Sequence, residues 1–357
     1  MLHRTKEPNF LLVLLLGVLL LLLGSCGRFA APSTETEELQ SASAPVDAFA
    51  MNEALGRGVN MGNALEAMYE GEWGMTLEAE YFQLIAEARF TNVRIPIRWT
   101  AHADEMAPYT IDPEFLARVD WAIAQALANN LSPIINMHHY DAIMQEPDVH
   151  RERFLAIWRQ LAEHYQDQPS NVIFELLNEP NSKLFAAQWN KLLAEAIAVV
   201  RESNPNRIII VGPVGWNNVG QLATLELPED DRQLIVTFHQ YEPFHFTHQG
   251  AEWVNGSDAW LGTTWEGTDS QKRQITQILD SAAAWGETHD RPIFMGEFGA
   301  YSKADMASRA RWTAFLVNEA EARGFSWAYW EFGAGFGVYD REQTAWNEPL
   351  LEALVRK

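Results

Sequence analysis

The chain is poor in cysteine and in positive charge. Its 357 residues contain a single cysteine, Cys26, which excludes an intramolecular disulfide. Lys and Arg together number 26 against 48 Asp and Glu, which gives a formal net charge of −22 at pH 7. This excess of negative charge argues against binding to nucleic acid and against polyanionic substrates such as pectin. We therefore expect no nucleic-acid partner and a neutral ligand.

Only one long hydrophobic run is present, and it lies near the N-terminus. Residues 11–23 are an apolar stretch preceded by Arg4 and Lys6. The stretch is shorter than the roughly 20 residues that span a bilayer, and it has the form of a secretory signal. It ends in Leu-Gly-Ser-Cys at residues 23–26, which resembles the bacterial lipoprotein cleavage motif.

This motif predicts how the N-terminus is processed and where the protein resides. We predict a lipoprotein-type signal peptide at residues 1–26, with Cys26 lipidated and the protein secreted across the inner membrane. The lipid would anchor it to a membrane, facing the periplasm or the cell surface. Gly27 does not resemble the aspartate signal for inner-membrane retention, which favours an outward-facing position. The alternative is an ordinary signal peptide or anchor helix with an incidental cysteine.

The remainder of the chain divides into a tether and one domain. Residues 27–48 are rich in Ala, Ser, Pro, Thr and Glu, a composition that cannot bury a core and predicts a disordered tether. Residues 49–357 are too many for most single sandwiches but ordinary for a (β/α)-barrel. We therefore expect a single catalytic domain over residues 49–357.

Short apolar runs alternate with stretches of helical period throughout this domain. Asp112-Pro113, for example, offers an N-cap followed by proline at the first helical position. Eight runs of this kind predict a (β/α)8 TIM barrel. The predicted strands are residues 58–61, 92–98, 133–138, 172–177, 207–211, 234–239, 292–296 and 326–330. A doubly wound open sheet is the alternative, but no glycine-rich phosphate loop follows the first run.

Two glutamates follow predicted strands four and seven. Active sites of such barrels lie at the C-terminal ends of the strands, so Glu179 and Glu297 should project into one cleft. Cleavage of a glycosidic bond needs a pair of this kind, because one carboxylic acid protonates the leaving oxygen and the second carboxylate supports the anomeric carbon. Glu179 should therefore have a raised pKa, through burial or through the negative charge of the other glutamate.

The neighbours of the two glutamates suggest supporting roles. Asn178 could bind a sugar 2-hydroxyl, and Arg94 would hold Glu297 ionised. Tyr241 could donate a hydrogen bond to Glu297, or it could be a core tyrosine whose hydroxyl is satisfied elsewhere.

The histidines raise the question of a metal site. His138 and His139 are adjacent, and His239, His245 and His248 cluster within ten residues. None of them has the spacing of paired zinc ligands on a helix, and no cysteine assists. We therefore expect neutral hydrogen-bonding histidines and no metal.

With these residues identified, the chain resembles glycoside hydrolase family 5, the cellulase and β-mannanase family. The resemblance rests on motifs such as Glu-Leu-Leu-Asn-Glu-Pro at residues 175–180 and Met-Gly-Glu-Phe-Gly at residues 295–299. The other matching stretches are residues 57–66, 93–96, 136–140, 239–244, 247–253 and 327–332. The run from residue 239 to residue 253 looks particularly like endoglucanases of thermophilic bacteria that also accept mannan.

The resemblance implies a retaining enzyme of the (β/α)8 class, with Glu179 as acid/base and Glu297 as nucleophile. It implies that the glycone-side cleft is formed by Arg94, His138, His139, Asn178, His239, Tyr241 and Trp330. It also implies substrate contacts at Asn63, Glu66, His248 and Trp253, and an acceptor subsite at Trp216. No cofactor is implied.

The expected activity is that of an endo-β-1,4-glucanase acting on β-glucan, with mixed-linkage glucan, glucomannan or mannan as further substrates. Two alternatives from the same fold are a β-mannanase proper and an exo-acting β-glucosidase. A different class is a surface lipoprotein that binds glycan without cutting it, but such a protein would typically have lost one of the two glutamates. We expect a monomer whose partners are the polysaccharide and, through its lipid, the membrane.

Overall fold

The computed structural model describes residues 47–355. Eight parallel strands close into a barrel in the order of the chain, which confirms the predicted (β/α)8 fold and excludes the open sheet. Each predicted run overlaps one barrel strand. The barrel strands are β1 Arg57–Asn60, β2 Asn92–Ile95, β3 Ser132–Asn136, β4 Ile173–Glu175, β5 Ile209–Val211, β6 Leu234–Gln240, β7 Ile293–Phe298 and β8 Ser326–Tyr329. A separate antiparallel pair consists of β9 Tyr339–Asp340 and β10 Ala345–Trp346.

Helices precede the first strand, occupy most of the connections between the barrel strands and follow the last strand. They are α1 Ala48–Leu55, α2 Ala79–Glu87, α3 Pro113–Ala128, α4 Asp141–Gln145, α5 Pro147–His164, α6 Ala186–Arg201, α7 Val214–Asn217, α8 Phe244–Thr247, α9 Asp269–His289, α10 Met306–Ala322 and α11 Glu348–Val355. As predicted, the side chain of Asp112 caps α3 and proline is its first residue. Within residues 47–355, no helix is long and apolar enough to cross a membrane.

The N-terminal predictions largely concern residues beyond this description. The signal peptide, the lipidation site Cys26 and the tether as far as residue 46 lie outside the described residues. The first helix begins at Ala48, one residue before the predicted start of the domain, and the side chain of Asp47 accepts a hydrogen bond from the amide of Ala50.

Helix α1 closes the N-terminal end of the barrel. Side chains alternate between the two faces of a strand, so every second residue of the barrel strands points inward. Inward-facing Ile134, Ile210 and Phe294 are buried in one cluster with Met51 and Leu55 of α1. The lower half of the barrel is therefore packed mainly with apolar side chains, beside the buried amide of Asn92, which donates to the carbonyl of Leu55.

One irregularity in the barrel positions a carboxylate. Between β6 and β7 the register shifts, because Phe238 pairs with Met295 whereas His239 pairs with Glu297. Gly296 is the extra residue of this bulge. A Cβ atom at this position would lie 2.6 Å from Thr237 Oγ1 and 3.2 Å from His239 Nε2. Glycine therefore lets the strands stay close while Glu297 lies directly opposite His239.

Candidate active site

A cleft of about 840 Å³ opens at the C-terminal ends of the strands. It contains both glutamates and ten more of the residues that the sequence predicted for the site. The predicted residues that line it are Asn63, Glu66, His138, His139, Asn178, Glu179, Trp216, Tyr241, His248, Trp253, Glu297 and Trp330. Residues that are far apart in the chain thus meet in one cleft, because they follow the C-terminal ends of neighbouring barrel strands.

The two glutamates approach each other across this cleft. One carboxylate oxygen of Glu179 lies within 4.8 Å of one of Glu297, and His239 lies within the same distance of both. Oε1 of Glu179 is 2.7 Å from Nδ1 of His239. Glu297 accepts hydrogen bonds from Arg94 at 2.7 Å and from the hydroxyl of Tyr241 at 3.0 Å, so the predicted Tyr241 contact is present.

Arg94 organises the floor of the cleft from inside the barrel. The side chain is fully buried and has five N–H groups. Two of them bind both oxygens of Glu175 at 2.6 and 2.8 Å. The other three donate to Glu297, to Asn60 Oδ1 at 2.8 Å and to Asn178 Oδ1 at 2.7 Å. Every donor of the guanidinium is therefore used, and the amide nitrogen of Asn178 remains available to the cleft.

The environment of Glu297 differs in one respect from the sequence expectation. Burial raises the pKa of Glu297 above its ordinary value, while His239 and Arg94 oppose this rise. Because Arg94 also binds Glu175, its charge is shared between two carboxylates. Arg94 therefore limits the upward shift of the pKa and does not bring it below the ordinary range.

The environment of Glu179 agrees with the expectation of a raised pKa. Burial raises the pKa of Glu179 to about 7, with Glu175 adding to the rise and Arg94 opposing it. Glu179 makes no hydrogen bond to Arg94 among the contacts of the described residues, and its neighbour is the histidine His239. The two glutamates consequently differ in how strongly they are held as anions.

The histidines of the site are buried or, in the case of His139, partly buried, and they are neutral near pH 7. Burial lowers the pKa of His139, His239 and His248 to about 4 each, and lowers that of His138 well below its usual range. Nδ1 of His138 lies 3.1 Å from the amide nitrogen of Asn136, so this ring accepts at Nδ1 and carries its proton on Nε2. The rings therefore act as directed hydrogen-bonding groups, as the sequence indicated.

Three of the described residues lie close enough together to be considered as ligands of a metal ion. Potential ligand atoms of Glu179, His239 and Glu297 lie within 4.8 Å of one another. Nδ1 of His239 is engaged by Glu179, and the guanidinium of Arg94 at 2.7 Å from Glu297 would repel a cation. These contacts disfavour a metal ion at this group.

Two residues that were predicted to form the cleft lie deeper than expected. Arg94 and His239 do not line the cleft but lie beneath it, where they bind the carboxylates. Glu66 borders the cleft, yet its carboxylate accepts from the backbone amides of Asn63 and Ala64. Burial raises the pKa of Glu66 to about 8. These hydrogen bonds fix the loop after β1, and the substrate contact of Glu66 stays a prediction.

Exposed tryptophans surround the carboxylates. The exposed fractions of Trp216 and Trp253 are 57% and 60%, which is unusual for indoles and leaves their faces open for sugar rings. Trp330 stacks on His138 with ring centroids 5.6 Å apart. Trp73, 43% exposed, also lines the cleft and contacts the ring of His139 edge-on. Trp73 was not predicted, because it follows β1 at a distance in a long loop.

Other residues of the site also escaped prediction. Glu175 lies inside β4 and was part of a matched motif, but a carboxylate within an apolar strand was itself a signal that was not used. Asn217 follows Trp216 and is fully buried against His239. Glu331, next to Trp330, accepts hydrogen bonds from the backbone amides of Gly333, Ala334 and Phe336 and so holds one wall of the cleft.

Similar proteins of known sequence and structure were found. Endoglucanase H of Acetivibrio thermocellus is 36% identical over 87% of this chain, which spans 34% of that protein's length. The structure of Thermotoga maritima Cel5A in complex with mannotriose is 48% identical, with a TM-score of 0.85 over 87% of this chain and 100% of that chain. The Cel5A complex with cellobiose has the same identity, coverage and TM-score.

The family itself follows from a match that covers most of the described chain. The family model of cellulase (glycosyl hydrolase family 5) matches residues 52–335, which include the whole barrel and every residue that the sequence predicted for the cleft. The chain therefore belongs to glycosyl hydrolase family 5, the cellulase family.

Proposed function

We propose that the protein is a retaining endo-β-1,4-glucanase in which Glu179 is the acid/base and Glu297 the nucleophile. The observation that carries this proposal is the approach of the two carboxylates to within 4.8 Å. Retaining glycosidases have carboxyl groups about 5–5.5 Å apart, whereas inverting enzymes need roughly 6.5–9.5 Å to admit a water molecule between them. The spacing in this cleft supports retention.

The geometry supports a double displacement. In the first step an oxygen of Glu297 attacks the anomeric carbon, the glycosidic C–O bond breaks with its electron pair on the leaving oxygen, and Glu179 gives that oxygen its proton. In the second step water attacks the glycosyl-enzyme, Glu179 takes a proton from the water, and the Glu297 carboxylate is released. Tyr241 and Arg94 hold Glu297 in place throughout, and the amide nitrogen of Asn178 can donate to the sugar 2-hydroxyl.

The substrate class follows from the cleft and from the relatives. Exposed Trp73, Trp216 and Trp253 offer stacking surfaces to several sugar rings, which supports internal cleavage of a polymer. The net charge of −22 favours a neutral polysaccharide. Endoglucanase H and the cellobiose complex of Cel5A support β-glucan, and the mannotriose complex supports mannan as a further substrate. A β-mannanase and an exo-acting β-glucosidase are the competing functions.

Reducing-end release from carboxymethylcellulose, barley β-glucan and mannan separates these functions. We expect the full chain to hydrolyse both glucans and to lower their viscosity early, because internal cuts shorten a polymer faster than terminal ones do. The Glu297→Gln variant is the matched control and should bind oligosaccharide without cutting it. Negligible hydrolysis of both glucans with rapid hydrolysis of mannan would identify a mannanase. Release of single glucose units from the chain ends of the glucans would identify an exo-acting enzyme.

Azide rescue tests the two catalytic roles separately. With an activated aryl cellobioside, Glu297→Gly should be inactive alone and should form the glycosyl azide of inverted configuration when azide is added, because azide fills the place of the nucleophile. Glu179→Gly should form the azide of retained configuration through the covalent intermediate. Product configuration is read by proton NMR. The opposite pairing of variants and configurations would contradict the assignment.

The pH dependence follows from the pKa of Glu179, which burial raises to about 7. The acid form exists below this value, so kcat/KM for an unactivated glucan should fall as the pH rises through about 7. A dinitrophenyl cellobioside needs no proton on its leaving group, and its kcat/KM should lack this alkaline limb. The measurement is a pair of pH profiles between about pH 5 and about pH 9. An alkaline limb at the same pH for both substrates would exclude Glu179 as its source.

We also propose that Cys26 carries a lipid that holds a monomeric enzyme at a membrane facing the periplasm or the cell surface. The support is the Leu-Gly-Ser-Cys motif after an apolar run, together with a cysteine that occurs once in the chain. Labelled palmitate supplied to expressing cells should be incorporated, and Cys26→Ser should abolish both incorporation and membrane association. Membrane association that persists in this variant would point to an uncleaved anchor helix.

A further inference from the structure

Asn217 lies in a turn after β5 that buries its side chain, whereas the side chains of the adjacent residues are exposed. After β5, three successive residues have positive φ: Gly215 at 72°, Trp216 at 61° and Asn217 at 55°. This left-handed run sends Trp216 into the cleft, 57% exposed, while Asn217 is completely buried. Asn218, next in the chain, is exposed and its side chain accepts from the amide of Gly220. Only Asn217 of this turn reaches the residues below the cleft.

The side chain of Asn217 contacts His239 on the nitrogen that Glu179 does not use. Its Nδ2 lies 3.2 Å from Nε2 of His239, while Nδ1 of the same ring lies 2.7 Å from Glu179. Among the described residues, Asn217 is the one hydrogen-bond partner of that Nε2. Asn217, His239 and Glu179 are therefore joined by two hydrogen bonds in series, from the turn after β5 to the proposed acid/base.

Two glycines leave the space that these hydrogen-bonded side chains occupy. A Cβ atom at Gly212 would lie 2.2 Å from Asn217 Oδ1, and one at Gly296 would lie 3.2 Å from His239 Nε2. Oδ1 of Asn217 is buried and has no hydrogen-bond partner in the structure. An unsatisfied buried carbonyl costs about 1–3 kcal/mol. Glycine at both positions and a tolerated unsatisfied oxygen indicate that the amide–imidazole contact serves more than packing.

The contact determines which nitrogen of His239 carries the proton. An amide N–H donates, so Nε2 must be the accepting nitrogen of the neutral ring and Nδ1 must carry the hydrogen. Nδ1–H then donates to Oε1 of Glu179. With Oε1 occupied as an acceptor, the acidic proton of Glu179 is directed to Oε2. The other tautomer would place N–H against N–H at Asn217 and would draw the proton of Glu179 toward the ring.

We propose that Asn217 is a positioning residue that holds His239 as its Nδ1–H tautomer and thereby directs the proton of Glu179 to the glycosidic oxygen. The inference rests on the proposed role of Glu179 as acid/base. It assigns to the turn after β5 a second task besides that of presenting Trp216.

Several other charged or titratable groups face Glu179 and His239. They are Arg94 from β2, His138 after β3, Glu175 from β4, Tyr241 after β6 and Glu297 from β7. None of them is a hydrogen-bond partner of Nε2 of His239 among the contacts of the described residues. Asn217 is uncharged and acts at Nε2, so its replacement leaves every one of these charges in place.

Two aryl β-cellobiosides test the proposal in the full chain. Phenyl cellobioside needs a proton on its leaving group, whereas dinitrophenyl cellobioside does not, and neither occupies a sugar-binding acceptor subsite at Trp216. Asn217→Gly keeps the positive φ without strain. It should lower kcat/KM for the phenyl substrate about tenfold and for the dinitrophenyl substrate by less than about twofold. Its alkaline limb should also move to higher pH, because the Glu179 carboxylate loses a committed N–H donor.

Asn218→Gly is the matched control, since it removes the same side chain from the adjacent position of the turn. It should leave the ratio of the two substrates and the alkaline limb unchanged. An equal loss on both aryl glycosides in Asn217→Gly, or no loss on either, would overturn the proposal by reducing Asn217 to a structural residue. If the wild-type chain turned over neither substrate, the proposed enzyme activity itself would fail, which is a distinct outcome.

A measurement on the unmutated protein does not depend on any variant folding. Long-range proton–nitrogen correlation spectra of the chain labelled with ¹⁵N-histidine distinguish Nδ1–H from Nε2–H rings, and His239→Asn identifies the signals of His239. We expect the proton on Nδ1 near neutral pH. A proton on Nε2 would contradict the proposal.

Discussion

The buried guanidinium of Arg94 is the interaction on which the site depends. A cation removed from water is costly unless its charge and its hydrogen-bonding groups are compensated. Arg94 meets this requirement with five hydrogen bonds to Asn60, Glu175, Asn178 and Glu297. These partners belong to or follow strands β1, β4 and β7, and Arg94 itself belongs to β2. One side chain thus ties the upper rim of the barrel together, and a lysine could not do so with three donors.

An asymmetry between the two glutamates follows from this arrangement. Glu297 lies against the guanidinium and the hydroxyl of Tyr241, whereas Glu179 is hydrogen-bonded to the neutral ring of His239. Burial raises the pKa of both, but it brings that of Glu179 to about 7. Two glutamates whose carboxylate oxygens approach to within 4.8 Å can in this way hold different protonation states, which is what a double displacement needs.

Much of the fold and part of the site were predictable from local patterns. The eight strands appeared as short apolar runs, and Glu179 and Glu297 were found because they follow two of those runs. Glu175 was missed because it lies within a strand, where its direction into the barrel depends on closure of the sheet. Asn217 was missed because nothing near it in the chain indicates that a left-handed turn buries it against a residue of another strand. Arg94 and His239 were expected in the cleft wall, whereas the closed barrel places them beneath it.

The sequence by itself determined the class of barrel, the chemical groups at its rim and the family, because alternation along a strand and motifs at strand ends are local properties. Tertiary structure alone decided how close Glu179 comes to Glu297, how Arg94 divides its charge between Glu175 and Glu297, and which nitrogen of His239 faces Asn217. Each of these depends on barrel closure and on the bulge at Gly296. Distance, burial and hydrogen-bond direction arise between residues remote in the chain, so no local pattern records them.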